Sequence, residues 1–139
     1  MTLAEKQRQM ICTINAMGDC FDQYSFLLLK AGQLPPLPDK DRTDDCLVAG
    51  CQSKVWLKPT VIEGYFYMEA DSDTLILRGV LAVLSELLNG ASAAEVAALS
   101  ITLLQETELS ATFTSTRSSG LSGILETIRA ACTGDHTLL

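Results

Sequence analysis

The segment Gln33-Leu-Pro-Pro-Leu-Pro-Asp-Lys-Asp-Arg42 places three prolines within four positions. Each ring fixes its own φ and removes an amide donor, so a helix is disfavoured and the stretch is stiffened as an extended loop. The chain is thereby divided into a part before residue 33 and a part after residue 42. Each flank shows only a half-buried pattern, so neither closes a core alone. The proline stretch therefore reads as a connector inside one domain spanning 1–139, not as a linker between two. A chain of 139 residues has the length of one ordinary domain and can bury about two-thirds of its unfolded surface in one core.

Before the connector, residues 3 to 17 place Leu3, Met10, Ile11, Ile14 and Met17 near one helical face. Asp19 is positioned to cap a second helix presenting Phe21, Tyr24, Leu27, Leu28 and Ala31, ended by Gly32. After it, a strand from about Ser53 to Lys58 alternates Val55 and Leu57 against Lys54, Trp56 and Lys58. A second strand from Tyr65 alternates Phe66, Met68 and Ala70 against Tyr65, Tyr67 and Glu69, with a turn at Glu63-Gly64, which predicts an antiparallel hairpin. Asp71-Ser72-Asp73 supplies cap residues for a long apolar helix from Thr74 to about Asn89, stopped by Gly90. Ser92-Ala-Ala-Glu95 is a capping box for a further helix with Val96, Leu99, Leu103 and Leu104 inward. Ser115 to Ser119 precede a last helix carrying Leu121, Ile124, Leu125 and Ile128. The expected class is α+β, a small antiparallel sheet packed against helices from both chain ends.

Several functions are disfavoured by what the sequence lacks or carries in excess. A net charge of −7 argues against nucleic acid, whose binding needs a basic face that releases counterions. The longest apolar runs, such as Phe26 to Leu29 or Val80 to Leu84, are far short of a membrane span. Residues 1–17 lack the pattern of a signal peptide, so the expected compartment is the cytoplasm. Neither a G-x-G-x-x-G nor a P-loop motif occurs. One histidine, His136, lies close to the C-terminal end, a poor place for the base of a Ser/His or Cys/His couple. Five cysteines at irregular spacings read as reduced thiols and not as a disulfide framework. Cys46 and Cys51 have a C-x₄-C spacing, but Lys54 stands where a ferredoxin-type third cysteine belongs. No metal site is expected.

What remains is thiol chemistry. In Leu47-Val-Ala-Gly50-Cys51-Gln-Ser-Lys-Val-Trp-Leu57 an apolar run meets a glycine and then a cysteine with polar neighbours. Gly50 permits a sharp turn that presents Cys51. Lys54 and the N–H groups of Gln52 and Ser53 are placed to stabilise a negative sulfur there.

At these residues the chain resembles the SufE family of sulfur acceptors. The resemblance rests on Gln33-Leu-Pro-Pro-Leu, Asp41-Arg42, Gly50-Cys-Gln-Ser-Lys-Val-Trp-Leu57, Asp71-Ser-Asp73 leading into Leu77-Arg-Gly-Val80, and Ser115-Thr-Arg-Ser-Ser-Gly-Leu121. It implies the SufE/IscU-like α+β fold. It further implies an accessory sulfur-transfer protein, not an enzyme with its own cofactor. Such a protein binds a cysteine desulfurase of the SufS/CsdA type, to which the pyridoxal phosphate belongs. It takes that partner's persulfide sulfur onto Cys51 and relays it to a downstream cluster-assembly scaffold. By the same resemblance Gly50, Gln52, Ser53 and Arg117 support the thiol, and Asp71, Asp73 and Trp56 are candidates for the partner-facing surface. Each has a structural alternative: Asp71 and Asp73 as helix caps, Trp56 as core, Arg42 and Arg117 as anchors of loops or helix ends. Cys12, Cys20 and Cys132 are assigned no role. Two other functions stay open, a thiol-redox regulator using Cys46 and Cys51 and an IscU-like iron–sulfur scaffold. Cys46 sits among Asp39, Asp41, Asp44 and Asp45 and is separated from Cys51 by chain that spans roughly 16 Å when extended, against about 7 Å between the Cα atoms of a disulfide. It is expected to stand outside the transfer cycle.

Overall fold

The computed structural model describes residues 1–48, 54–109 and 115–133, with only the backbone given for Asp45 and for 115–122. Helix α1 (Leu3–Asn15) and helix α2 (Cys20–Gln33) precede the proline segment, which runs into two short 3-10 turns, Asp39–Asp41 and Asp44–Cys46. Strands β1 (Val55–Ile62) and β2 (Tyr65–Ser72) follow, then α3 (Leu75–Leu88), α4 (Ala93–Ala98) and α5 (Ser115–Thr133). The α+β class is as expected. The hairpin is antiparallel, with Val55 opposite Ser72 and Ile62 opposite Tyr65. It turns on Glu63 and Gly64, both at positive φ (53° and 85°), the backbone that a two-residue turn between twisted strands demands.

The apolar alternation of the strands turns Val55, Leu57, Phe66, Met68 and Ala70 inward, with β2 against α3 and β1 against α5. That helix is the centre of the core: nine of its residues are buried, from Leu77 to Leu88. Helix α2 crosses it so closely that a Cβ added at Gly79 would stand 2.4 Å from the Leu27 carbonyl oxygen. Only glycine fits there.

Three sequence expectations need correction. The buried side of α2 is Gln23, Leu27 and Ala31, whereas Phe21 is 76% exposed and Tyr24 and Leu28 also face solvent. Gln23 can replace an apolar residue because its amide is bonded, donating to the Gly18 carbonyl and accepting from the Glu108 N–H at 2.8 Å. Helix α4 ends at Ala98, so Leu103 and Leu104 are buried from a stretch of turns and not from a helix. Buried Gln7 of α1 holds that stretch, accepting from the N–H groups of Thr102 and Leu103. Ser115 to Ser119 lie inside α5, not ahead of it.

Candidate functional site

Gly50, Cys51, Gln52 and Ser53 lie outside the described residues; what the structure gives is how the chain is held on either side of them. On the entry side, the Val48 N–H donates to the Val55 carbonyl at 2.9 Å, and Leu47 forms an antiparallel bridge with Trp56. On the exit side, the Lys54 carbonyl accepts from the Asp73 N–H at 3.2 Å and the Ser72 hydroxyl at 2.8 Å. The Lys54 N–H in turn donates to the Asp73 carboxylate at 3.1 Å. Asp73 is therefore spent on the strand end and not on a helix cap. The N-cap of α3 is Thr74, without a side-chain cap bond.

Asp71 is placed differently from both expectations for it. It stands opposite Trp56 in the strand register, and at 1% exposure its carboxylate neither caps α3 nor offers an open contact to a partner. It accepts instead from the Leu37 and Ser72 N–H groups at 3.1 and 2.8 Å, from Arg42 at 2.5 Å, and lies 3.2 Å from Nε of Arg78. Burial on its own raises the pKa of such a group; the two amides and two guanidinium groups outweigh it, and the Asp71 carboxyl lies below its ordinary value. Arg78 also donates to the Leu34 carbonyl at 2.9 Å. A single carboxylate thus ties both ends of the Leu34–Arg42 segment to β2 and α3.

The same arrangement sets Trp56. Its half-buried ring lies with the Arg42 guanidinium 5.5 Å from its centroid, a cation–π distance. Trp56 is accordingly both packed and partly open, next to the base of the Cys51 segment. Nearby, Lys58 pairs with Asp41 at 3.3 Å. Arg78 and the hydroxyl of Ser72 were given no role at the site from the sequence; the available signal was that Arg42 and Arg78 both stand in motif segments, as does Asp71.

The other sulfurs differ in setting. Cys132 is buried, and burial pushes its thiol pKa up, which disfavours the reactive thiolate. Cys12 is exposed, and Cys20 and Cys46 are partly buried; all are free. Arg117 lies in the first turn of α5, with its side chain outside the described set. Among the described residues no group of three His, Cys, Asp or Glu side chains is placed to hold a metal ion, and no helix is long and apolar enough to cross a membrane.

A hairpin beneath a helical layer, with a motif cysteine between two pinned strand ends, defines a small α+β class of protein. The chain belongs to the SufE family, whose Fe-S metabolism associated domain matches residues 8–132. It is 41% identical over 112 residues to the sulfur acceptor protein CsdE of Escherichia coli (strain K12), covering 79% of this chain and 76% of that one. A solution structure of a hypothetical protein from Thermus thermophilus shares the fold, with a TM-score of 0.76 at 21% identity over 91% of this chain and 93% of the other.

Proposed function

We propose that the protein is a sulfur acceptor and activator of a pyridoxal-phosphate cysteine desulfurase, taking sulfur onto Cys51 and passing it to an iron–sulfur assembly scaffold. The observation that carries this reading is the likeness to CsdE, a sulfur acceptor by name, in a chain that keeps the Gly50-Cys51-Gln52-Ser53 motif. In the transfer the Cys51 thiolate attacks the outer sulfur of the partner's persulfide. A new S–S bond forms on Cys51, the partner's bond breaks, and the partner's cysteine leaves as a thiolate with no net oxidation. Gly50, Gln52, Ser53 and Arg117 are the supporting groups of the reading, the last as a cation for an anionic sulfur. The chain needs no cofactor for this, since the carbon–sulfur chemistry belongs to the desulfurase. Thiols that must stay reduced suit the cytoplasm.

The test is to incubate the protein with a purified SufS/CsdA-type desulfurase and cysteine, then locate the added sulfur by intact-mass and peptide analysis. One sulfur atom on Cys51 is expected, abolished in Cys51→Ala, while Cys51→Ser still binds the desulfurase because interface area comes from surrounding residues. Sulfur retained by Cys51→Ala, or found on Cys12, Cys20 or Cys132, overturns the assignment.

A further inference from the structure

Two leucines beside the pinned strand ends have no role in the core. Leu75 opens α3 at 60% exposure, and Leu47 is 39% exposed. Their positions are set by the bonds already described. Leu47 is bridged to Trp56 and immediately precedes Val48, the entry end. Leu75 is two residues beyond Asp73, which holds Lys54, the exit end, through both its N–H and its carboxylate. The two apolar side chains therefore flank the two ends of the Cys51 segment. Asp44 and Asp73, both exposed, put carboxylates on this rim beside the exposed Lys54.

Connectivity fixes what must cover them. Cys51 is three residues from Val48 and three from Lys54, so its Cα stays within about 11 Å of each. Direct sulfur transfer requires the two sulfurs to touch. A donor surface that reaches Cys51 must then come down on the segment's ends and their immediate neighbours. Ile62 and Tyr65, also exposed, do not meet this condition: they sit at the hairpin tip, seven positions along β1 from Val55 and so about 23 Å away.

We infer that Leu47 and Leu75 are the apolar anchors on which the cysteine desulfurase docks, seated in an apolar socket whose rim carries cations opposite Asp44 and Asp73. This rests on the sulfur-acceptor reading and adds to it the surface that selects the partner. Exposed leucines grouped beside a reacting group are what an interface core requires, and an acidic border contributes steering and register.

The experiment titrates the full chain against a purified SufS/CsdA-type desulfurase with cysteine, reading Cys51 persulfide by mass. Leu47→Asp/Leu75→Asp is expected to raise the half-saturating concentration at least tenfold, with the rate at saturation kept. Leu47→Ala/Leu75→Ala should give a smaller rise in the same direction, and guards against misfolding of the charged variant, although aspartate in the first turn of α3 suits that helix end. Phe21→Asp, on the exposed side of α2, should leave the titration unchanged. An unaltered half-saturation in both leucine variants, a loss confined to the saturated rate, or a shift produced by Phe21→Asp overturns the docking assignment while the acceptor reading stands. A wild-type chain that takes no sulfur at any concentration overturns both.

Discussion

Two of the contacts that fasten the N-terminal part to the rest of the molecule differ in kind. At one, α2 lies against α3 with the Leu27 carbonyl in the space a side chain at 79 would need, and the surfaces that meet are mainly apolar, joined also by the Lys30–Glu86 ion pair at 2.7 Å. At the other, the Leu34–Arg42 segment is tied to β2 and α3 through the Asp71 carboxylate, its two amide donors and two arginines. The first contact is a sum of many small dispersion and burial terms, which any well-fitting apolar set can supply. The second is directional, and removing one member strands the others. The directional contact is the one that stands beside the Cys51 segment, where Trp56 and the strand ends need fixed positions more than area. One contact contributes buried area, the other fixed direction.

Breaking the polar contact should cost most. Asp71→Ala leaves two guanidinium groups and the Leu37 N–H without their acceptor, and a loss of about 3 kcal/mol is expected, reduced somewhat because Arg42 keeps access to water. Urea unfolding measures it; a loss below about 1 kcal/mol would mean the segment relaxes without its anchor. The apolar contact is probed by Gly79→Ala. Forcing a methyl against the Leu27 backbone should cost about 2 kcal/mol, while a neutral result would mean that α2 slides freely over α3. The smallest effect is the pH dependence. Because the folded Asp71 pKa is below its unfolded value of about 3.9, its stabilisation is complete above that value and is lost as pH falls through the lower, folded one. Thermal midpoints followed from neutral pH down to about 3 should fall less steeply in Asp71→Asn than in the wild type. Parallel curves would remove Asp71 from the acid limb.

Much of the fold was legible because period and chemistry agreed. The alternation of β1 and β2 and the Glu63-Gly64 turn point to the same hairpin, and the structure has it in that register. The face of α2 was read only in part: Leu27 and Ala31 are buried as expected, whereas Phe21, Tyr24 and Leu28 have the spacing of a buried stripe and face solvent. The true stripe contains Gln23, whose burial depends on hydrogen-bond partners at Gly18 and Glu108 that no hydropathy pattern reveals. Asp71 was misread for a related reason: an aspartate just before a helix has the sequence signature of a cap, and a buried counter-ion has the same one. What separates them is the strand register, which extends β2 to Ser72 and turns Asp71 toward Arg42, 29 positions back in the chain, and Arg78 on the following helix. The motif around Cys51 was legible by resemblance, and the residues that pin its ends were not, since Ser72 and Asp73 act on Lys54 across the hairpin.

The chain contains one tryptophan, and it is the residue bridged to Leu47 and covered by Arg42. Selective indole excitation therefore lights a single spot, at the foot of the Cys51 segment. No dye or engineered label is needed to watch that spot while a partner arrives or a sulfur atom is gained: the protein carries its own optical gauge where the chemistry is proposed to occur.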